Sequence, residues 1–256
     1  MKIDYTDKTA LITGGTTGIG FSTAKMLLEN NAKVVIVGRS EKKGAEALKK
    51  LQSFKKSVIY IKADISQVSE CERIVKETVA AFGKLDVVVN SAGIYMDGDI
   101  SNVTEESYNT LMDINLKGTF FTCKYAVAEL KKSGGGSIIN ISSDAGLMGN
   151  PSCTLYCASK GAVTIFTKAL AVDVAKDKIR VNCVCPGDIL TPMFYDDMAK
   201  SDDQEAYMKN ITEQYPSGFI GKPEEVASVI CLMASDQVPF VIGASWSIDG
   251  GLTSAS

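Results

Sequence analysis

TGGTTGIG, residues 13–20, follows the apolar run TALIT at residues 9–13 and precedes a segment with helical periodicity. In such a strand–turn–helix arrangement, Gly14 permits a tight turn, while Gly18 and Gly20 keep side chains away from a pyrophosphate and from the packed strand. The first turn of the helix then directs its free N–H groups at the anion. We therefore favour a dinucleotide site over a purely structural glycine turn.

Short β-branched runs alternate with helix-length segments along the chain, and no repeat or linker divides it. Continuous apolar runs such as VVIV and DVVVN indicate strands buried on both faces, as in a parallel sheet covered by helices. We predict an α/β protein with a single Rossmann-type, doubly wound domain over residues 1–256, about seven strands in the order 3-2-1-4-5-6-7 and helices on both faces. The candidate strands are 9–13, 33–38, 58–62, 86–90, 137–142, 180–185 and 240–248, and the candidate helices are 18–30, 41–53, 67–82, 104–132, 154–175 and 223–234.

The longest segment without a clear pattern runs from residue 186 to residue 222 and follows a strand. Long irregular connections in compact domains are commonly functional loops. We predict that residues 187–222 form a mobile flap over a substrate site.

The chain of 256 residues has a net charge of −3 and no basic stripe for nucleic acid. Its start, MKIDYTDKTA, lacks the apolar run of a signal peptide, and no stretch approaches the roughly 18 apolar residues needed to cross a bilayer. These features predict a cytoplasmic protein that binds neither nucleic acid nor a membrane.

Seven cysteines and no histidine occur in the sequence. The cysteines form no Cys-x-x-Cys pair and no zinc-like spacing, so we expect no metal site. Without imidazole, any proton transfer must use Tyr, Lys, Asp, Glu or Cys.

Arg39 and Ser40 follow the second candidate strand, where an NAD site would carry a carboxylate for the ribose hydroxyls. Arg39 would instead pair with a 2′-phosphate, which favours NADP(H), although NAD(H) stays possible. The alternative is a solvated arginine followed by a serine N-cap. Asp64, after the third strand, is expected to bind the adenine amine, or else simply to cap the next helix.

Tyr156 and Lys160 lie four residues apart in YCASK and would share one face of a helix. A free phenol has a pKa of about 10 and transfers protons poorly near neutrality. An ammonium about 5 Å from the phenolate would stabilise it by roughly 3 kcal/mol at an effective dielectric of 20, which lowers the phenol pKa by over two units. The pair therefore indicates an acid–base catalyst rather than an aromatic residue beside a surface lysine.

Further motifs follow one another in a fixed order along the chain. With the two already described, they are TGGTTGIG, Asn90-Ser91-Ala92-Gly93, Asn115 in DINLKG, Ser143 in NISSDAG, Tyr156 and Lys160 in YCASK, Pro186-Gly187 with Thr191, and IDGG at 248–251. In these motifs the chain resembles a short-chain dehydrogenase/reductase nearly from end to end. One departure is Ser91, where the family usually has a second asparagine.

The resemblance implies catalysis by Ser143, Tyr156, Lys160 and Asn115. Ser143, rather than its neighbour Ser142, would polarise a substrate carbonyl while Tyr156 gives the proton and a nicotinamide gives the hydride. Lys160 would also bind the nicotinamide ribose. Asn115 would position a water that relays protons from Lys160, although a helical asparagine is otherwise a common surface or bend residue.

The cofactor site combines the residues inferred above with those that the resemblance implies, among them Thr191 as the partner of the carboxamide. The full expected set is Gly14, Thr16, Thr17, Gly18, Ile19, Gly20, Arg39, Ser40, Asp64, Ile65, Asn90, Ala92, Gly93, Tyr156, Lys160, Pro186, Gly187, Ile189 and Thr191.

The expected substrate pocket is mostly apolar and lacks arginine, which favours a neutral or hydrophobic ketone or secondary alcohol, such as a hydroxysteroid, polyol or small ketone. The same methionine and aromatic side chains could instead be core residues. The pocket candidates are Tyr95, Met96, Leu147, Met148, Cys153, Met193, Phe194 and Tyr195.

Two alternatives to this function remain. A 3-oxoacyl-acyl-carrier-protein reductase would share these motifs, but such enzymes tend to carry a basic docking residue before the sixth strand, where residues 175–178 are of mixed charge. A non-catalytic NAD(P)-sensing protein typically loses the tyrosine or the lysine, and both are present here.

The resemblance also implies a homotetramer, in which the helical segments 104–132 and 154–175 form one dimer interface. The apolar-rich stretch TFFTCKYAVAEL is consistent with such burial, but it would equally suit packing within one chain.

Overall fold

The structure is a computed structural model that describes residues 3–255. Its centre is a sheet of seven parallel strands, six of which begin and end within two residues of their predicted positions. The strands are β1 (Thr9–Thr13), β2 (Lys33–Gly38), β3 (Val58–Lys62), β4 (Val87–Asn90), β5 (Gly136–Ile141), β6 (Ile179–Pro186) and β7 (Ser245–Ile248).

Nine α-helices of the described chain connect and cover these strands. They are α1 (Gly18–Glu29), α2 (Glu41–Lys50), α3 (Val68–Phe82), α4 (Glu105–Met112), α5 (Thr119–Lys132), α6 (Thr154–Val174), α7 (Pro192–Met198), α8 (Gln204–Gln214) and α9 (Pro223–Ala234). None of them is long and apolar enough to span a membrane.

The strand order is β3-β2-β1-β4-β5-β6-β7, as predicted. Alternate side chains of the buried strands feed two separate apolar cores, because successive residues of a strand point to opposite faces. Ile12 and Ile139 belong to the core beneath α1 and α9, whereas Leu11 and Ile138 belong to the core beneath α3 and α5. The predicted doubly wound α/β fold is therefore confirmed.

Three predicted elements differ from the structure. The helix expected over residues 104–132 is interrupted by a π-helical turn, Asp113–Gly118, between α4 and α5. The seventh strand begins at residue 245, because Phe240 and its neighbours form an exposed turn. The segment 186–222 is not irregular, since it contains α7 and α8.

Both unpredicted helices begin at a side-chain cap. The Thr191 hydroxyl accepts a hydrogen bond from the backbone N–H of Phe194, and the Asp203 carboxylate accepts one from Ala206. Such caps satisfy N–H groups that the first helical turn leaves free. These helices are short and α8 contains no buried residue, so their apolar periodicity is too weak to detect in the sequence.

Candidate active site

The glycine turn between β1 and α1 is shaped for the close approach of another group. Gly14 and Gly18 have φ angles of +65° and +55°, which residues with a Cβ rarely adopt. A Cβ on Gly14 would lie 2.7 Å from the backbone nitrogen of Ala92, and a Cβ on Gly18 would lie 3.2 Å from Thr191 Cγ2. The turn therefore brings the start of α1 against the ends of β4 and β6.

The N-terminus of α1 has features of an anion site. Its N-cap residue, Thr17, makes no capping hydrogen bond with its side chain, and no acidic residue lies in the first turn. Thr16 and Ile19 are half-buried beside it, and Gly20 packs against the backbone of Gly14. Free N–H groups at the positive end of the helix dipole fit a pyrophosphate.

Arg39 and Ser40 lie at the end of β2. The Arg39 side chain is exposed and makes no hydrogen bond or ion pair with the rest of residues 3–255. Ser40 caps α2 by accepting a hydrogen bond from the Lys43 N–H, so it has the N-cap role given above as the alternative. Glu41, two residues after Arg39, pairs with Lys62 at 2.9 Å and not with Arg39.

Asp64 and Arg39 line one open cleft of about 670 Å³ between the end of the sheet and α4. The Asp64 carboxylate accepts a hydrogen bond from the Ser66 N–H at 3.0 Å. Ile65 is buried and would clash with any side chain at Gly118. The cleft is large enough for a nucleoside, and its lining is predominantly polar.

Asn90 ends β4, but its side chain points into the protein. Its Nδ2 donates to Asn140 Oδ1 at 2.9 Å on the neighbouring strand. Ala92 and Gly93 follow, and the Ala92 N–H donates to Thr13 Oγ1 at 3.3 Å. Asn90 therefore reaches the sheet edge only through its backbone, whereas Ala92 and Gly93 lie directly between the glycine turn and Lys160.

Ser142 and Ser143 follow β5 and point in different directions. The Ser142 hydroxyl donates to the Lys160 carbonyl oxygen at 2.9 Å and contacts the Thr164 hydroxyl at 2.7 Å, so it is engaged within the α6 interface. The Ser143 hydroxyl instead lies beside Tyr156 and donates to Asp144 Oδ1 at 2.6 Å. Ser143 is thus the serine placed at the candidate site.

Tyr156 and Lys160 share one face of α6, as their spacing predicted. Lys160 is buried, its Nζ lies 5.7 Å from the centre of the Tyr156 ring, and it donates to the Ile141 carbonyl oxygen at 3.0 Å. The Tyr156 ring meets the edge of the Tyr95 ring at 5.1 Å.

The expected lowering of the Tyr156 pKa by Lys160 is wrong for the protein chain alone. Withdrawal from water raises the pKa of Tyr156 well above its ordinary value, and the negative charges of Asp144 and Asp188 raise it further, against the hydrogen bond with Ser143. Burial also lowers the pKa of Lys160 to about 8. A buried lysine is a weaker source of positive charge than the simple Coulomb argument assumed.

Asn115 lies in the π-helical turn and joins the end of β4 to α6. Its Oδ1 accepts from the Ile94 N–H at 2.9 Å, and its Nδ2 donates to the Ile94 carbonyl oxygen at 3.0 Å and to Ser159 Oγ at 3.2 Å. A Cβ on Gly93 would lie 3.3 Å from Asn115 Oδ1 and 3.5 Å from Lys160 Nζ. Asn115 and Lys160 are therefore neighbours across Gly93.

The connection after β6 runs beside the same site. Pro186 and Gly187 pass into Asp188, whose Oδ2 accepts from the Tyr215 hydroxyl at 2.8 Å. Ile189 forms a bridge with residue 221, and Thr191 caps α7. These contacts hold the predicted residues 186–191 against the glycine turn.

The predicted pocket residues divide into two groups. Tyr95 and Cys153 are in contact, with 3.3 Å between hydroxyl and sulfur, and Tyr95 reaches Tyr156. Phe194 is buried and packs on aromatic neighbours in α7 and α8, so it is a packing residue. The others lie at the surface or are partly buried: Met96, Leu147, Met148, Met193 and Tyr195.

Sequence reasoning missed two carboxylates whose charges act on Tyr156, Asp144 and Asp188, and it missed Asn150, which contacts Asp144. Asn150 Nδ2 donates to Asp144 Oδ2 at 2.9 Å, and both carboxylates act on the Tyr156 pKa. Their positions carried a signal, because Asp144 directly follows Ser143 and Asp188 directly follows Pro186-Gly187.

Comparison with known proteins agrees with this geometry. The family model described as short chain dehydrogenase matches residues 8–215. The chain belongs to the short-chain dehydrogenase/reductase family and is an NAD(P)-dependent oxidoreductase.

Relatives of known activity cover nearly the whole chain. It is 38% identical to an NADP-dependent (R)-specific alcohol dehydrogenase of Lentilactobacillus kefiri over 96% of both chains. It is 37% identical to the 3-oxoacyl-acyl-carrier-protein reductase FabG of Chlamydia muridarum, over 96% of this chain and 97% of the relative. Among solved structures, ElxO with NADP bound superposes with a TM-score of 0.90 at 33% identity, over 96% of this chain and 99% of the other.

The depressed pKa of Lys160 predicts a pH-dependent stability difference. Between about pH 8 and the ordinary lysine pKa near 10.4, the unfolded chain binds more protons than the folded one, so the free energy of unfolding rises with pH. Relative to Lys160→Met, the parent protein should gain about 3 kcal/mol across this window. Urea unfolding without added nucleotide at pH 7.5, 9 and 10.5 measures the difference, and parallel curves would contradict it.

Proposed function

We propose that the protein is an NADP(H)-dependent oxidoreductase that interconverts a ketone and a secondary alcohol. The observation that carries the proposal is that Ser143, Tyr156 and buried Lys160 lie together at the carboxyl edge of the sheet, beside the glycine turn. In doubly wound sheets, this edge is where ligands bind.

The cofactor residues would act as follows. The first turn of α1 would hold the pyrophosphate, Arg39 the 2′-phosphate and Asp64 the adenine amine, while Thr191 would contact the carboxamide. When bound, the reduced nicotinamide supplies a hydride to the carbonyl carbon. Arg39 supports the phosphorylated cofactor because its exposed side chain makes no hydrogen bond or ion pair with the rest of residues 3–255 and would be free to pair with a phosphate.

The protein would supply the proton and hold the reacting oxygen. Tyr156 would donate its phenolic proton to the carbonyl oxygen, and Ser143 would lie beside that oxygen. Lys160 would then return a proton to Tyr156. Both ends of the Asn115 amide are engaged, and its backbone carbonyl accepts the Thr119 hydroxyl at 2.9 Å. The relay proposed for Asn115 would therefore use a water on the second lone pair of that carbonyl.

Two other functions have less support. FabG-like reduction of an acyl-carrier substrate remains the second candidate, because that relative covers the same length of chain. A non-catalytic cofactor sensor would not need a buried Lys160 held within 3.0 Å of the Ile141 carbonyl beside Tyr156.

The assembly that we propose is a homotetramer. The two long helices α5 and α6 present apolar side chains to solvent, with Phe120 44%, Ile165 64% and Val172 79% exposed. Phe120 also packs on Phe166 at 4.9 Å, so the patch is continuous across both helices. Apolar patches of this kind mark interaction surfaces.

Replacing the phenol hydroxyl tests the catalytic assignment. Tyr156→Phe should reduce turnover of any accepted ketone at least a hundredfold, because positioned acid–base groups typically contribute 10²–10⁴. NADPH oxidation followed at 340 nm gives the rate, and unchanged NADPH binding shows that the fold is retained. Turnover equal to that of the parent would contradict the proposal.

Arg39→Gln tests the cofactor preference. Loss of a hydrogen bond to a charged group costs about 1.5–3 kcal/mol, so NADPH should bind about 10–150 times more weakly, while NADH binding should change little. Nicotinamide fluorescence measures both affinities. Lys49→Gln, at the far end of α2, is the matched control. Equal loss for both cofactors, or tighter NADH binding by the parent, would contradict the role of Arg39.

Sedimentation velocity tests the assembly. The parent should sediment as a tetramer at micromolar concentration, and Val172→Asp should favour smaller species because it places a charge in the apolar patch. A monomeric parent at that concentration would refute the assembly.

A further inference from the structure

Asp188 is a carboxylate that the proposed mechanism does not use. It follows the last residue of β6 by two positions, as Ser143 follows that of β5, and the parallel pairing of these strands brings both residues to one edge of the sheet. The charge of Asp188 acts on Tyr156 of α6 and on Tyr207 of α8. Asp188 therefore lies between the catalytic phenol and the segment that contains α7 and α8.

Tyr215 fixes the position of Asp188. The Tyr215 ring is buried beside Gly187 and Gly250, where an added Cβ would lie 2.8 Å and 3.3 Å from its ring carbons. The Tyr215 hydroxyl accepts the Asp188 N–H at 2.6 Å and donates to Asp188 Oδ2 at 2.8 Å. One immobile hydroxyl thus holds both the backbone and the carboxylate of Asp188.

The other oxygen of this carboxylate is open. Asp188 Oδ1 makes no hydrogen bond with residues 3–255 and is reached by solvent, and Asp188 forms no ion pair within that range. Burial raises the pKa of the carboxyl, and the charges of Asp144 and Asp197 raise it further, against the hydrogen bond from Tyr215. A half-buried carboxylate without a counter-ion is destabilised, so a ligand that brings a positive charge would remove that cost.

Two lysines lie near the site, and both have other partners. Lys200 is 65% exposed, pairs with Asp197 at 2.7 Å and lies 3.9 Å from Asp97. Lys160 is buried and donates to a backbone carbonyl. The wall that carries Asp188 therefore has a surplus of negative charge. A neutral hydroxyl would satisfy Oδ1 without offsetting this charge, whereas a cation would do both.

We propose that Asp188 is a specificity-determining residue whose open oxygen binds a positively charged group of the substrate, with Tyr215 as the positioning residue that holds it. The substrates are then ketones that carry an ammonium group away from the reacting carbonyl, and the corresponding amino alcohols. In reduction, the carbonyl carbon receives the hydride of the reduced nicotinamide and the carbonyl oxygen receives the Tyr156 proton, while the ammonium group keeps its protons. The inference rests on the proposed function.

A matched pair of ring ketones tests this assignment. At pH 7, 1-methyl-4-piperidone is mostly protonated, whereas 4-methylcyclohexanone has nearly the same shape and no charge. NADPH oxidation at 340 nm gives kcat and KM for both. In Asp188→Asn the ratio of kcat/KM for the charged ketone to that for the neutral ketone should fall at least tenfold, mainly through a higher KM for the charged ketone. Intrinsic ketone reactivity cancels because the ratio is compared between variants.

Two further variants separate a contact with the carboxylate from a general effect of charge. Asp196→Asn removes the same charge from an exposed position of α7 and should leave the ratio unchanged. Tyr215→Phe keeps the charge of Asp188 but removes both hydrogen bonds that orient it, so the ratio should fall by a smaller factor than in Asp188→Asn. Retained NADPH affinity shows that each variant keeps the cofactor site.

An unchanged ratio in Asp188→Asn, or an equal fall in Asp196→Asn, would overturn the proposal. Affinities for NADP⁺ and NADPH provide a readout that does not depend on turnover. If Asp188→Asn weakens NADP⁺ binding more than NADPH binding and leaves the ketone ratio unchanged, the carboxylate serves the positive charge of the oxidised nicotinamide and the proposal is wrong.

The same ketones distinguish failure of the inference from failure of the proposed function. If the parent reduces 4-methylcyclohexanone and not 1-methyl-4-piperidone, the role of Asp188 is wrong and the oxidoreductase assignment stands. If NADPH binds and the parent reduces neither these nor any other ketone, the proposed function fails and the inference fails with it.

Discussion

The parallel pairing of β1, β4, β5 and β6 is the constraint on which the rest of the structure depends. Because these strands run in one direction, their carboxyl ends meet at the same edge of the sheet. Asn90 and Asn140 join β4 to β5 within this layer by a buried hydrogen bond of 2.9 Å. The glycine turn, Ser143 and residues 187–191 then follow strand ends, and Tyr156 and Lys160 lie on α6, which packs against β6.

Burial determines the electrostatics at that edge. Lys160 is held under Tyr156 by a backbone carbonyl, and it forms no ion pair with any residue of the described range 3–255. Desolvation favours the neutral form of each side chain. It therefore raises the pKa of Tyr156 and lowers the pKa of Lys160. At such a site Tyr156 keeps its phenolic proton until a charged molecule binds nearby.

The sequence was informative where one physical effect dominates. Continuous apolar strands predicted the parallel sheet, and the i, i+4 spacing placed Tyr156 and Lys160 on one helix face. Elements that begin at local caps were harder to predict. The helices α7 and α8 start at the N-cap side chains of Thr191 and Asp203 and lack a clear apolar periodicity. The hydrogen-bond network around Ser143 could not be predicted from the sequence, because it joins residues whose side-chain directions are set only by the folded turn after β5.

Transfer of isotope from the cofactor to a substrate tests the central claim most directly. The parent would be incubated with an accepted ketone and NADPH that carries deuterium at both C4 positions, and the alcohol would be examined by NMR and mass spectrometry. The account predicts one deuterium per product molecule, bound to the former carbonyl carbon. An alcohol without deuterium, formed while the labelled cofactor is consumed, would contradict direct hydride transfer at this site.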